Sequence, residues 1–271
     1  MECPEFVEKL LEISPSHFDK VVLLNSGSEV TDAAYRLIKT WGKKNNKKYI
    51  IVFTGNYHGH VLGSDLIGGE PDSADCYVKD YEIHSIPFPK NNDELNILRD
   101  LPPLDEIACF FLETYQGWGA WMYPQKYIDE LYQLSRDNNI LICFDEVQSG
   151  FYRMGELYGY MTYGDYKPDI ITLGKGLTSS LPLSALLSTK EIIDLEPSIN
   201  LSGSQAGNAL CCAAGLANLD YLTDDLFQSN LKKKIKLFEK LNKELEQEEG
   251  VEVVNVKGMV SAIIVKDADM G

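Results

Sequence analysis

Basic residues, regularly spaced cysteines and long apolar runs are all scarce in this chain of 271 residues. Lysine and arginine number 25 against 41 aspartates and glutamates, which gives a formal net charge of -16. A chain this acidic is poorly suited to bind a nucleic-acid backbone or an anionic membrane surface. The six cysteines show no CxxC spacing, which disfavours both a zinc ribbon and a disulfide scaffold.

Membrane-spanning and secretory segments are missing as well. No stretch approaches the roughly 20 apolar residues that a membrane-spanning helix needs. The first residues, Met-Glu-Cys-Pro-Glu, lack the basic and apolar regions of a signal peptide. The sequence therefore predicts a cytoplasmic protein that has no membrane partner.

Short apolar runs alternate with amphipathic stretches of helical length, a pattern that predicts an α/β fold. The runs are apolar throughout, as in strands that helices cover on both faces of a mostly parallel sheet. We expect a three-layer αβα arrangement around that sheet. The predicted strands are residues 21–24, 49–53, 107–112, 140–144, 170–173 and 183–188, and the predicted helices are 29–41, 125–138 and 205–222.

The composition changes after residue 222. A long charged helix is predicted over 224–249, with apolar residues at helical spacing, and two strand-like pieces follow at 251–256 and 259–265. One helix and two strands make a poor domain by themselves. We therefore predict a large domain over 1–222, and over 223–271 the beginning of a small α+β domain whose remainder is absent.

Two predicted strand ends carry the residues best suited to chemistry. The buried run 140–144 ends in Asp145 and Glu146, and carboxylates at the C-terminal end of such a strand face the ligand crevice. The next strand runs into Gly174-Lys175-Gly176, where two glycines let the backbone turn tightly around a lysine. Taken alone, either feature is also compatible with charged groups in solvent.

Two further turns add candidate ligand contacts. Asn25-Ser26-Gly27-Ser28 leads into a helix, and backbone N–H groups at such an N-terminus bind phosphate well, although plain capping by Ser26 or Ser28 is the alternative. Tyr57-His58-Gly59-His60 follows another strand. The two histidines lack an evident third ligand, so we expect no metal site.

In this order and spacing, the motifs resemble those of the class III aminotransferases, which are pyridoxal-phosphate enzymes of fold type I. The resemblance covers about residues 19–222. It rests on Asn25-Ser-Gly-Ser-Glu29, Tyr57-His-Gly59, Asp145-Glu-Val-Gln-Ser-Gly-Phe-Tyr-Arg153, Leu173-Gly-Lys-Gly-Leu177 and Gly203-Ser-Gln-Ala-Gly-Asn208.

The resemblance implies a role for each matching residue. Lys175 would form a Schiff base with pyridoxal 5'-phosphate and then transfer protons. Asp145 would hold the ring nitrogen protonated, which makes the ring an electron sink. The remaining cofactor contacts would be Gly27 and Ser28 at the phosphate, Tyr57 and Val147 on the two ring faces, Gln148 at the 3-hydroxyl, and Ser204 at the phosphate of a neighbouring subunit.

This set of roles implies transamination between a small-molecule amino donor and a carbonyl acceptor, in a homodimer with shared active sites. Trp118 departs from the family pattern, because it stands where ω-amino-acid enzymes carry a glutamate that pairs with an arginine. Specificity for 4-aminobutyrate, ornithine or acetylornithine is therefore less expected. The segment before Phe6 and the C-terminal arginine that grips a substrate carboxylate are also expected to be missing.

Two alternatives remain open from the sequence. The same scaffold hosts aminomutases and racemases, and the Tyr-His-Gly-His wording at Tyr57 is shared with the aminomutase branch. The run from Gln148 to Arg153 favours transamination over these. The other alternative is a non-catalytic subunit derived from the fold. The presence of Lys175 and Asp145 argues against it. Such a subunit would be colourless, whereas an enzyme with its cofactor attached to a lysine would be yellow.

Overall fold

In a computed structural model of the chain, residues 2–68 and 82–266 are described. The helices are α1 (Glu2–Ile13), α2 (Gly27–Lys44), α3 (Leu62–Leu66), α4 (Gln125–Asp137), α5 (Lys190–Ile193), α6 (Ala209–Leu222) and α7 (Asp225–Glu244). The strands are β1 (Lys20–Leu24), β2 (Tyr49–Phe53), β3 (Ile83–Ile86), β4 (Ile107–Glu113), β5 (Tyr115–Gln116), β6 (Trp121–Met122), β7 (Leu141–Asp145), β8 (Ile170–Leu173), β9 (Ser184–Ser188), β10 (Val251–Lys257) and β11 (Val260–Val265).

Seven of these strands form the central sheet, in the order β1-β9-β8-β7-β4-β2-β3. The pairs β2–β3, β2–β4, β4–β7 and β7–β8 are parallel, and β9 runs antiparallel to both of its neighbours. The sheet is therefore mostly parallel, as predicted. Its parallel strands place their C-terminal ends at one edge, and ligand crevices form at that edge.

Helices cover both faces of this sheet and enclose two apolar cores. Successive side chains of a strand point to opposite faces, so Phe110 and Phe144 join the core beneath α1, α4 and α6, while Phe111 and Cys143 join the core beneath α2. Both sets are fully or almost fully buried. This double coverage explains why the strands are apolar throughout, and it confirms the predicted three-layer αβα architecture.

Several element boundaries differ from the sequence prediction for identifiable reasons. The helix expected over 205–222 begins at Ala209, because Gly207 has a φ of +69° and the Asn208 side chain caps the helix by accepting from the Leu210 N–H. Helix α2 is longer than the predicted 29–41 and begins at Gly27.

Six of the described elements were not predicted: the helices α1, α3 and α5, the edge strand β3, and the two-residue strands β5 and β6. Helix α1 places the fully buried Phe6 and Leu10 in the larger core, against helix α6. Strand β3 is short and only its last residue is buried, so its sequence shows little of the apolar pattern on which the strand predictions rest. Cys76, one of the cysteines named above, lies outside the described residues.

The segment that follows Leu222 packs against the rest of the chain. Strands β10 and β11 form an antiparallel hairpin, and the Met259 N–H donates to the Arg153 carbonyl at 2.8 Å. The Asn255 side chain donates to the Gly119 carbonyl at 2.7 Å. A division of the chain into 1–222 and 223–271 remains a prediction. No helix in the described ranges is long and apolar enough to cross a membrane.

Candidate active site

A pocket opens at the C-terminal edge of the central sheet, beside the N-terminus of α2. Seven of the eight predicted site residues line it, and they come from four separate parts of the chain. The lining consists of Gly27, Ser28, Tyr57, His58, Gly59, Glu113, Tyr115, Asp145, Val147, Gln148, Ser149 and Lys175. The pocket volume is about 170 Å³.

The N-terminus of α2 forms one wall of the pocket. Ser26 caps the helix through its side chain, which accepts from the Glu29 N–H at 3.2 Å. Because Ser26 is the capping residue, the next two residues, Gly27 and Ser28, lie at the pocket wall. They belong to the first helical turn, whose N–H groups have no partner within the helix. A β-carbon on Gly27 would lie 2.9 Å from a Val147 methyl group, so glycine is what lets Val147 pack closely against this wall.

Asp145 ends β7 and points to the α2 side of the sheet. Its Oδ2 accepts a hydrogen bond from His58 Nδ1 at 2.7 Å. Its Oδ1 accepts from Thr172 Oγ1 and from the Val147 backbone N–H, each at 3.0 Å. The carboxylate is 6% exposed, and with three donors around it the side chain is held in one orientation at the pocket wall.

His58 is a buried residue of the pocket lining. Its ring packs edge-on against Phe111, with 4.7 Å between the ring centroids, and the Thr31 hydroxyl donates to its carbonyl at 2.6 Å. Its Nε2 has no hydrogen-bond partner among the described residues. His60 is exposed, and no cluster of three or more metal-ligating residues occurs within 2–68 and 82–266.

Glu146 points away from the pocket, as expected for the neighbour of Asp145 at a strand end. Its two oxygens accept four hydrogen bonds, from Thr114 Oγ1 at 2.5 Å, Ser149 Oγ at 2.7 Å, and the N–H groups of Gly159 at 2.7 Å and Tyr160 at 2.8 Å. Burial raises the pKa of Glu146, and these donors oppose the rise. Glu146 therefore serves to hold the 159–160 turn against the sheet.

We expect Glu146→Gln to destabilise the protein by about 2 to 3 kcal/mol. An amide would bring its NH₂ group against one of the two backbone N–H groups, and a backbone donor cannot rotate away as a hydroxyl can. Urea unfolding monitored by circular dichroism measures the loss. Glu130→Gln, at an exposed position of α4, is the control, and equal stability of the two variants would contradict the role given to Glu146.

Lys175 lies two positions after Leu173, the last residue of β8, in a strained backbone conformation. Its φ is +36°, a left-handed value that costs a residue with a β-carbon about 1 kcal/mol or more. A short 3₁₀ turn that begins at Lys175 holds this geometry, and the Leu177 N–H donates to the Gly174 carbonyl at 2.9 Å. Such strain is concentrated at functional sites.

Glu113 ends β4 next to Asp145, with which it is paired in register. It is 5% exposed, and its Oε2 accepts from the Tyr57 and Gly117 N–H groups at 3.2 and 3.5 Å. Burial raises the pKa of Glu113 to about 7. The charge of Asp145 adds to this rise, while His58 opposes it.

A second cavity of about 730 Å³ adjoins the pocket and shares Tyr115, Gln148 and Lys175 with it. It extends past Arg153 to helix α7 and to the β10–β11 hairpin. Tyr115 is 2% exposed, its hydroxyl has no partner in the described part of the chain, and its burial raises its pKa. The shared residues give a ligand in the pocket a route to this larger space.

Two residues singled out from the sequence lie outside the pocket. Ser204 is exposed, in the turn before α6, and does not line the pocket of its own chain. Trp118 is 58% exposed and lines neither cavity. Tyr57, by contrast, lines the pocket although it is 52% exposed.

Glu113, Thr172 and Tyr115 were not predicted from the sequence to be part of the site, and His58 was considered only as a metal ligand. Glu113 and Thr172 flank Asp145 on the two adjacent strands. Polar residues at the ends of otherwise apolar strands were the available signal. Recognising these residues as neighbours of Asp145 requires the strand order and register, which could not be derived from the sequence.

The amino-acid sequence matches a known protein family over its whole length. The model of the class III aminotransferases matches residues 1–271. The chain belongs to the class III aminotransferase family. The resemblance in the sequence motifs is thereby confirmed.

Individual relatives agree with this family. The chain is 31% identical over 241 residues to an isoleucine 2-epimerase of Lentilactobacillus buchneri, covering 80% of the chain and 52% of that protein. It is 34% identical over 233 residues to an acetylornithine aminotransferase of Ralstonia nicotianae, covering 80% of the chain and 55% of that protein. The chain thus spans about half the length of these curated relatives.

The fold agrees with solved structures of the same kind. One is an adenosylmethionine-8-amino-7-oxononanoate aminotransferase from Methanocaldococcus jannaschii, with a TM-score of 0.87 and 28% sequence identity. That comparison covers 98% of this chain and 65% of the other chain.

Proposed function

We propose that the protein is a pyridoxal-phosphate-dependent aminotransferase, which moves an amino group from a small-molecule donor to a keto or aldehyde acceptor. The observation that carries this proposal is the presence of Lys175, Asp145 and the α2 N-terminus around one pocket. An amine, a carboxylate and free backbone N–H groups are the three kinds of group that an aldehyde, a pyridine nitrogen and a phosphate require.

The shape and polarity of the pocket support this cofactor. Because position 27 is a glycine, the apolar side chain of Val147 packs closely against the N-terminus of α2 at the pocket wall. Tyr57 supplies an aromatic ring at the same pocket. Pyridoxal phosphate would supply a reactive aldehyde and an electron-withdrawing ring.

The protein's own residues would provide binding and proton transfer. Lys175 would attach covalently to the cofactor and, once displaced by the substrate amine, carry the proton at its Nζ. Asp145 would keep a proton on the ring nitrogen through its negative charge. His58 and Thr172 hold its carboxylate in place for this contact. Gln148 would donate to the 3-oxygen, while Gly27 and Ser28 would bind the phosphate.

The proposal is tested by incubating the cofactor-loaded protein with a panel of ω- and α-amino donors and of keto and aldehyde acceptors. We expect new amine and carbonyl products in equal amounts, and at least about 100-fold slower product formation with the Lys175→Ala variant. A yellow, cofactor-loaded protein that converts no donor in the panel would count against transamination.

Racemisation of an amino acid is the second candidate, and the similarity to an isoleucine 2-epimerase favours it. Both reactions remove the proton from the same carbon. In a racemase, however, the proton returns there and no keto acid accumulates. Chiral chromatography of an amino-acid substrate separates the two, since a racemase yields the opposite configuration without an acceptor and an aminotransferase does not.

We further propose a homodimer in which Ser204 donates to the cofactor phosphate of the partner. Its exposure, and its place outside the pocket of its own chain, support this. We expect Ser204→Ala to weaken cofactor binding about 10-fold, as for the loss of one charged hydrogen bond. Fluorescence titration measures this, with Ser202→Ala as the control.

Sedimentation provides the second readout for the homodimer. We expect a dimer, and a monomer that still binds pyridoxal phosphate tightly would contradict the shared site. The exposed Leu210 at the start of α6 is part of the apolar surface proposed for this interface. A cytoplasmic location remains a prediction from the sequence.

A further inference from the structure

Glu113 and Glu146 are two buried carboxyl groups with very different surroundings. Glu146 accepts four hydrogen bonds of 2.5 to 2.8 Å, shared between both oxygens. Glu113 accepts two longer hydrogen bonds, both at Oε2, from the N–H groups of Tyr57 and Gly117. The four donors around Glu146 suit an ionised carboxylate. At Glu113 both hydrogen bonds go to Oε2, so the second oxygen, Oε1, is available to carry a proton.

Burial is the main cause that favours a neutral Glu113; His58 opposes this effect, and the charge of Asp145 adds to it. Asp145 lies beside it in register on the neighbouring parallel strand, on the same face of the sheet. Two adjacent carboxyl groups rarely both ionise when they are removed from water. His58 faces the pair, but its Nδ1 is hydrogen-bonded to Asp145. The other titratable groups that border the pocket are Tyr57, Tyr115 and Lys175.

The amide oxygen of Gln148 is placed to accept a hydrogen bond from a protonated Glu113. A β-carbon added at Gly117 would lie 2.7 Å from Gln148 Oε1 and 3.0 Å from Glu113 Oε1. The two oxygens therefore border the same small space above Gly117. A contact between the two oxygens across this space is favourable only when one of them carries a hydrogen.

We propose that Glu113 is a positioning residue that holds a proton and donates it to the Gln148 amide oxygen, so that the Gln148 amide nitrogen faces the cofactor. This inference rests on the proposed function, because Gln148 matters here as a donor to the cofactor's 3-oxygen. Through Oε2, Glu113 also fixes the backbone of Tyr57, the proposed stacking residue. One neutral carboxyl group thus aligns two cofactor contacts.

Ionisation of Glu113 would reverse its effect on Gln148. Burial and Asp145 raise its pKa to about 7, so the proton is present below that pH and is lost above it. The ionised side chain would place a second negative charge beside Asp145. It would also turn Gln148 around, because the Gln148 amide would then donate to Glu113 instead of to the cofactor.

Infrared spectroscopy of the cofactor-free protein tests the proton directly. With isotope-labelled glutamate, we expect a neutral carboxylic-acid band that disappears as the pH rises through about 7. The band should be missing in Glu113→Gln and kept in Glu130→Gln. If wild type shows no such band below pH 7, or if the band survives in Glu113→Gln, the proposal is wrong, and in the latter case Glu146 carries the proton.

Cofactor binding tests the consequence. Glutamine imitates a protonated Glu113, since its amide can both donate and accept, and leucine imitates only its shape. We expect the dissociation constant of pyridoxal phosphate to rise about 10-fold more between pH 6 and pH 8 in wild type than in Glu113→Gln. Glu113→Leu should bind weakly at both pH values.

The outcomes separate this inference from the proposed function. Equal pH dependence in wild type and Glu113→Gln, or tight binding by Glu113→Leu, would overturn the positioning role. A wild-type protein that shows the infrared band but binds no pyridoxal phosphate would leave Glu113 neutral and refute the proposed function. If Glu113→Gln does not fold, loss of the infrared band in Glu113→Leu and its retention in Glu146→Gln assign the proton to Glu113, and the opposite result overturns the proposal.

Discussion

Replacing Lys175 with alanine is expected to lower the rate of amino transfer by at least about 10²- to 10⁴-fold, the usual contribution of a positioned acid–base group. The loss should be larger still if the covalent attachment of the cofactor is needed for turnover. Folding should be retained, because Lys175 is exposed and alanine removes only atoms that border the pocket. Product formation measured under saturating cofactor gives the rate.

The control for this variant is Lys167→Ala, at an exposed lysine outside both cavities. We expect it to retain the wild-type rate and the wild-type yellow colour. Addition of a small primary amine should restore part of the Lys175→Ala rate, since the amine can take up the proton in place of the side chain. Wild-type activity in Lys175→Ala would refute the catalytic assignment.

Asp145→Asn is expected to leave the cofactor bound and to lower the rate of proton removal from the substrate by about 10²- to 10³-fold, as for the loss of one preorganised electrostatic contact. An amide carries no charge to hold the ring nitrogen protonated. Its NH₂ group would also face one of the donors that now bond the carboxylate, His58 or Thr172. Exchange of the substrate α-hydrogen with deuterated water measures this step.

Glu146→Gln is the matched comparison, because it makes the same chemical change at the next residue. We expect Asp145→Asn to lose rate and keep most of its stability, whereas Glu146→Gln should lose stability and keep most of its rate. The reverse ranking would mean that Glu146, and not Asp145, pairs with the cofactor.

The layers of the fold could be predicted from the sequence alone, because strands that helices cover on both faces are apolar throughout. Residues 107–112 and 140–144 are apolar at every position, which strands covered on one face are not. The sequence also predicted that Asp145 and Lys175 lie at one edge of the sheet, since both follow buried strands. The antiparallel direction of β9 and the edge strand β3 could not be predicted, because both depend on pairing between distant segments.

The partners of Asp145 show the same limit at the level of the site. Glu113 and Thr172 flank it only because β4 and β8 pair with β7 in one particular register. His58 reaches it from a loop 87 residues earlier. The sequence could indicate that a strand-end carboxylate is functional. It could not indicate which groups set the orientation and charge of that carboxylate.

Borohydride reduction of the pyridoxal-phosphate-loaded protein, followed by peptide mapping, decides whether Lys175 holds the cofactor. Reduction fixes the cofactor to the lysine that holds it. We predict a single pyridoxyl label on Lys175, with none on the exposed Lys167 or Lys190. A label on either of those residues, or a protein that takes up no label, would contradict the account.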